Sequence, residues 1–492
     1  MSGGLGRPRP DWDGLQRGLA GRVALPGSAA YEQAHPPFIA GFGDLHPRAV
    51  VLCAAAEDAA EALVFARRHG LQIAVRSGGH CFAGFSSTRD LVLDVSPLHS
   101  VAAAGGVVCV GAGARLGELY GRLLEHGLTI PAGTCPSVGI GGLTLGGGHG
   151  ILGRAYGLTL DHLTGARVVP ADGRVTDCDQ HHHGDLFWAL RGAGAGNFGV
   201  VTALTFRPRP APASMANFHL AWPYRQAAAV IGAWQQWAPA SPGELAADLE
   251  LTAAGDLDTA PTVAVYGAVL GTRRDAGGLL DELTALAGAE PLSRACAELS
   301  YRDTVRYQAT LDAAGGLAAA APQGGPSGRH HRFTKSEFFD RPLPRQVIAA
   351  LAGRLTAQRT AGQDRSVIFA PWAAAYSRQP PQATAFAHRS QLFLLEHLAV
   401  TAPGASGADK RAAHQWVTSS WATVHPVGSG RVYPNFRDPD LTDGGHAYYG
   451  SNYQRLRTIK ARYDPGAVFG SRQPLRAPGS EARRPVPDSA RR

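Results

Sequence analysis

Glycine is packed more densely between Gly78 and Gly199 than elsewhere in this chain, and two short segments there limit what it can fold into. They are Arg76-Ser-Gly-Gly-His80-Cys81 and Gly133-Thr-Cys135-Pro-Ser-Val-Gly-Ile-Gly-Gly142. Each sets one nucleophilic side chain, His80 or Cys135, among residues small enough for the backbone to touch a large flat ligand. Glycine is costly to order, so it suits places where a Cβ would collide with something. Read separately, His80 is best taken as a loop histidine bonded to a neighbour, and Cys135 is equally a buried thiol. Read together, they imply a ligand held from two sides.

The 492 residues exceed one simple core, and the length implies about two to four domains. A hydrophobic fraction of 45% with 17% charged residues is that of an ordinary globular protein. The net charge of +8 is carried almost wholly by arginine, the lysines being Lys335, Lys410 and Lys460. Those arginines are dispersed apart from the last few residues, so nucleic-acid binding is not expected. Six irregularly spaced cysteines make no disulfide framework. The segment Met1 to Pro26 has no apolar run of leader length. No stretch nears the roughly 20 apolar residues of a membrane span. A cytoplasmic protein without membrane contact is the expectation.

From Ala49 the pattern alternates strands and helices. Strands are predicted at Ala49 to Cys53, Ile73 to Arg76, Leu91 to Asp94 and Val107 to Gly111, with Val101 to Val107 read as a turn. Helices are predicted over about 57–69 and 115–126, each closed by a glycine. No amphipathic period survives from Gly139 to Gly157. A strand from Val200 to Phe206 runs into Arg207-Pro-Arg-Pro-Ala-Pro212, where proline stops regular structure. Beyond it lies a region of mixed helices and strands, including Arg345 to Gln358 and Leu392 to Val400.

One motif misleads. Val108-Cys-Val-Gly111-Ala-Gly113-Ala-Arg-Leu-Gly117 imitates a dinucleotide fingerprint. A Rossmann unit also needs an acid ending the next parallel strand. The following Leu128-Thr-Ile-Pro-Ala-Gly133 supplies none. His181-His-His183 reads as a polar loop, and no metal site is expected.

In these segments and further downstream the chain resembles the bicovalent flavoenzymes of the berberine bridge enzyme family, within the vanillyl-alcohol oxidase superfamily. The resemblance runs through Arg76 to His80, Pro131 to Gly142, Gly146-Gly-Gly-His-Gly150, Asp185 to Gly192, Gly196-Asn-Phe-Gly-Val-Val-Thr202, Tyr448 to Leu456 and Tyr463-Asp-Pro465. It implies an α+β fold: a two-part FAD-binding domain of the PCMH type, plus an α+β substrate domain whose antiparallel sheet covers the flavin. Residues 1–208 (core 47–208) and 438–476 would form the first, 209–437 the second, and 477–492 a disordered tail. A roomy entrance is expected at the small-residue run from Gly315 to Gly328.

The resemblance also implies FAD bonded twice, to His80 at the 8α-methyl and to Cys135 at ring carbon C6. Arg76, Ser77, Gly78, Gly79, Val138, Gly139, Gly141, Gly142, Gly146, Gly150, Asn197, Gly199, Val201 and Asn452 are the further cofactor contacts it implies. Oxidising an alcohol by hydride transfer requires a base opposite the flavin. Tyr448, with Tyr449 beside it, is one candidate. Glu396 is the other, because a charge that shares a strand face with Leu394 and Leu392 is out of place unless it lines a pocket. A surface salt bridge would explain Glu396 equally. Val138 falls where relatives that use O2 carry a small residue, which favours an oxidase over a dehydrogenase. The expected function is oxidation of a sugar or natural-product hydroxyl, with O2 giving H2O2, in a monomer or homodimer. Oxidative cyclisation or desaturation of a natural product is the alternative.

Overall fold

The computed structural model describes residues 10–39, 42, 45–314, 330–470, 475, 476 and 478, and only the backbone of 312–314. The run from Gly315 to Gly328 and nearly all of the tail 477–492 lie outside the described residues. The molecule is built on three larger sheets. The first is four-stranded, ordered Arg22–Ala24, Ala49–Leu52, Leu91–Asp94, Ile73–Arg76, and the last three strands run parallel. Its crossover helix, Ala56–His69, is acidic in the first turn and basic in the last, and ends on Gly70 at φ 61°. The buried Asp58 carboxylate accepts the amides of Ala20, Gly21, Ala54 and Ala55, which ties the turn before the strand Arg22–Ala24 to the start of that helix.

The second sheet is five-stranded and antiparallel, ordered Val101–Ala104, Val107–Gly111, Val200–Phe206, Leu163–Val169, Thr176–Asp179. It corrects the reading of Val101 to Val107 as a turn. The turn is only Gly105-Gly106, both at positive φ (59° and 78°), as a tight hairpin requires. Two further expectations need correction. The stretch from Gly139 to Gly157 contains the helices Ile140–Gly146 and Gly153–Tyr156. Their glycines let backbones touch, so tertiary packing replaces an amphipathic period: a Cβ on Gly141 would collide with the Ala112 carbonyl. In the proline-rich segment, Arg209–Pro210 pairs with Leu128–Thr129 as a two-stranded edge, where the missing N–H of proline is tolerated.

The third sheet is seven-stranded and antiparallel: Ser293–Ser300, Ser214–Pro223, Thr262–Val269, Leu245–Ala253, Gln363–Pro371, Phe393–Thr401, His331–Phe339. Strand alternation divides its residues cleanly. Leu249, Leu251, Val367, Phe369, Phe393 and Leu395 join a core with the helices Ala227–Ala240, Arg273–Ala287, Arg345–Thr356 and Gly407–Val424. The alternate positions (Asp248, Glu250, Ile368, Ala370, Leu394, Glu396) face the other way.

The carboxy-terminal helix Tyr453–Tyr463 returns to the first half of the chain. Its Leu456 and Ile459 share one core with Val110, Leu186 and Val200. Buried Lys460 pairs with Asp464 at 2.6 Å and donates to the carbonyls of Asn197 and Phe469. A second buried clamp joins Arg389 to Asp161 through two bonds of 2.7 and 2.8 Å. Breaking such a pair strands a charge in low dielectric. Asp161→Asn is therefore expected to cost about 3–5 kcal/mol in chemical denaturation, and a loss below about 1 kcal/mol, the level of an exposed pair, would contradict it. Among the described residues no helix is long and apolar enough to cross a membrane.

Candidate active site

A cavity of about 390 Å³ lies between the glycine-rich loops and the free face of the seven-stranded sheet. The loop side supplies His80, Cys135 and Val138, and the sheet side supplies Ile368, Ala370, Leu394 and Glu396. The two glycine segments meet there because neither carries a side chain at the contact. A Cβ on Gly78 would strike the Gly139 amide, and one on Gly139 would strike Gly78 and the Ser77 hydroxyl. Gly79 also needs its freedom, at φ +73°. Gly142 and Gly196, by contrast, face open space.

The His80 ring is half-buried and stacks on Phe38, with centroids 4.0 Å apart and planes at 16°. Its pKa is lowered to about 3, first by burial and then by Arg332 and Arg115, so the imidazole is neutral at ordinary pH. The buried Nε2 has no hydrogen-bond partner. Cys135 is a free, half-buried thiol whose Sγ lies 3.4 Å from the Ser137 hydroxyl. Buried Arg332 interacts electrostatically with both Cys135 and Glu396. Glu396 is 4% exposed and accepts the Thr334 hydroxyl at 2.7 Å. Burial pushes its carboxyl up to about 7, against the smaller lowering effects of Thr334 and Arg332.

Of the residues expected at the cofactor, Ser77, Gly78, Gly79, His80, Cys135, Val138, Gly139, Gly141, Gly142, Gly150, Gly199 and Val201 line the cavity, as does Glu396. Six others are not among the lining residues, and each makes contacts within the protein. Arg76 donates to the Ala34, His35 and Ser86 carbonyls and to Ser87. Gly146 makes room for the Asn435 side chain. Asn197 donates to the Ala193 carbonyl and the Tyr449 hydroxyl, and Asn452 to the carbonyls of Pro381 and Thr384. Tyr448 is 1% exposed, and its hydroxyl accepts the Asp438 amide at 2.8 Å. Burial, the largest influence on it, raises its pKa above the usual tyrosine range. The Tyr449 hydroxyl accepts from Asn197 and from Arg437 at 3.1 Å.

The cavity also brings in residues that the sequence reading did not single out. His149 packs half-buried against Trp372, Tyr433 and Phe436, and desolvation lowers its pKa to about 4. Arg437 and Phe436 come from the segment after the large sheet, and Asp248 and Tyr266 from its strands. Asp248 carried no local signal: unlike Glu396, which shares a strand face with Leu394, it alternates with Leu249 and Leu251 as any solvated strand face does. Arg437 gave none, because only tertiary structure brings it to the cavity.

A half-buried imidazole with an orphaned nitrogen, a free thiol lining the same cavity and a glycine-lined slot fit a flat ring system bonded to protein. Those residues suit a flavin. Residues 47–179 match the FAD binding domain family, and residues 432–476 match the berberine and berberine-like family. The uncharacterized FAD-linked oxidoreductase YvdP of Bacillus subtilis is 32% identical over 92% of this chain and 97% of its own length. Chitooligosaccharide oxidase of Gibberella zeae is 28% identical over 87% of each chain. Among solved structures, the BBE-like 1 protein of Physcomitrella patens superposes with a TM-score of 0.83 at 26% identity, covering 94% of this chain and 98% of that one. The chain belongs to the berberine bridge enzyme-like FAD-linked oxidoreductases of the vanillyl-alcohol oxidase superfamily.

Proposed function

We propose that this protein is an alcohol oxidase in which Glu396 is the base and His80 and Cys135 both bond the FAD. The observation that carries this reading is the position of Glu396. It is a carboxylate on the sheet wall, opposite the loops that hold His80 and Cys135, with its pKa raised to about 7. A base titrating near the working pH is half ready to accept a proton and still basic enough to pull it. The two candidate tyrosines of the carboxy-terminal motif are not among the residues that line the cavity. Glu396 therefore takes the hydroxyl proton as the substrate C–H bond breaks.

FAD, when bound, supplies the hydride acceptor and passes the electrons to O2 as H2O2. His80 would hold it at the 8α-methyl, where a neutral imidazole keeps the lone pair such a bond needs. Cys135 would hold ring carbon C6. Thr334 keeps one oxygen of Glu396 fixed through its hydroxyl. The small Val138 leaves room on the loop side for O2. We read 1–208 with 438–476 as the FAD-holding unit and 209–437 as the substrate-binding unit, a reading supported by the core that Leu456 shares with Val200. Purified yellow protein is expected to release one H2O2 per alcohol oxidised. Flavin reduction by an alcohol with electrons passing only to a dye, and none to O2, would overturn the oxidase reading.

A further inference from the structure

We infer that the substrate is an alcohol on a compact apolar skeleton with a hydrogen-bond donor at its far end, recognised by Asp248, rather than a sugar. This inference rests on the assignment of Glu396 as the base. The strand registers lay out the wall in rows. Glu396 pairs with Ile368, which pairs with Glu250 on the next strand. One step along, Leu394 pairs with Ala370 and Asp248 with Tyr266, and extending the Phe369–Leu249 register by one residue brings Ala370 beside Asp248. Glu396, Ile368, Ala370, Leu394, Asp248 and Tyr266 all line the cavity. Two strand spacings and one step along the strand separate Glu396 from Asp248, about 12 Å between their backbones.

Aliphatic side chains line the cavity between the two acids; Glu250, the other buried acid of this face, is not among the lining residues and accepts the Tyr266 hydroxyl at 3.4 Å. A pyranose carries a hydroxyl on nearly every carbon, and each one desolvated without a partner costs about 1–3 kcal/mol. Ile368, Ala370 and Leu394 have no polar side-chain atom to offer, so a sugar over this strip would lose the water it needs. An aromatic or alicyclic body gains there by burial. Phe82 and Phe436, 6.0 Å apart, add ring surface to the same cavity. At the far end the Asp248 carboxylate accepts hydrogen bonds only, which suits a hydroxyl or ammonium group and repels a carboxylate.

The probes are 4-biphenylmethanols carrying a 4′-hydroxyl, 4′-aminomethyl, 4′-carboxylate or 4′-methyl group, with cellobiose as the sugar. Two quantities are measured on the flavin-loaded protein: kcat/KM for peroxide release, and Kd from the change in flavin absorbance on binding. The hydroxyl and aminomethyl compounds are expected to exceed the methyl and carboxylate ones by at least about tenfold in kcat/KM, one hydrogen bond to a charged group being worth about 1.5–3 kcal/mol. Asp248→Asn is expected to narrow that ratio through KM. The wild-type comparison stands by itself should the variant not fold. Cellobiose preferred over every biphenyl, or no distal preference in the wild type, would overturn the inference while leaving the oxidase reading intact. Tight binding with the distal preference but no flavin reduction would support the inference and overturn the oxidase reading. The hydroxyl and aminomethyl arms separate a neutral from a cationic distal donor.

Discussion

Glu396→Gln is expected to lower kcat by about 10²–10⁴-fold while leaving FAD bound. The amide has the same shape and still accepts the Thr334 hydroxyl, so packing is kept and only proton acceptance is lost. In the wild type the rate is expected to rise with pH through about 7, because the carboxyl must be ionised to act and its pKa is raised to about 7. The variant loses that limb. Stability moves the other way. A carboxyl whose pKa is raised on folding penalises the folded state once it ionises. The penalty begins above the unfolded value of about 4.3 and is complete above 7. The variant is therefore expected to melt higher than the wild type at pH 8 and not at pH 4, by an amount on the order of 3 kcal/mol. A variant that keeps more than a tenth of the wild-type kcat would remove Glu396 from the role of base.

The second large effect concerns attachment. His80→Ala or Cys135→Ala alone is expected to leave the flavin bonded through the other residue, so the colour stays with the protein after acid denaturation. The double variant is expected to release all of it. Each single variant should also reduce its flavin more slowly, since each bond withdraws electron density from the ring and favours hydride uptake. His80 suits the task because burial keeps it neutral. Colour that survives denaturation in the double variant would mean that another side chain is bonded.

Much of this was legible in the chain. The helix at Ala56–His69 and the strands at Ile73–Arg76, Leu91–Asp94 and Val200–Phe206 follow from local pattern, because each has regular periodicity and glycine or proline punctuation. Glu396 was legible for the same reason, as a charge in a leucine strand. The short helices within Gly139 to Gly157 were not, since glycine there serves contacts between backbones that no local period records. Nor was the hydrogen bonding of Tyr448. The tyrosine-rich motif is plain in sequence, but only the path of the segment through Asp438 decides that its hydroxyl meets that amide. Arg437 and Asp248 reach the site from elements remote in sequence, and no local signal joins them to His80.

The most direct measurement is peptide mass spectrometry on freshly purified, acid-denatured and digested protein. One FAD joining the His80 peptide to the Cys135 peptide is the expected result. Unmodified peptides at both positions in protein that is visibly yellow would contradict the central claim that these two residues hold the same flavin beneath Glu396.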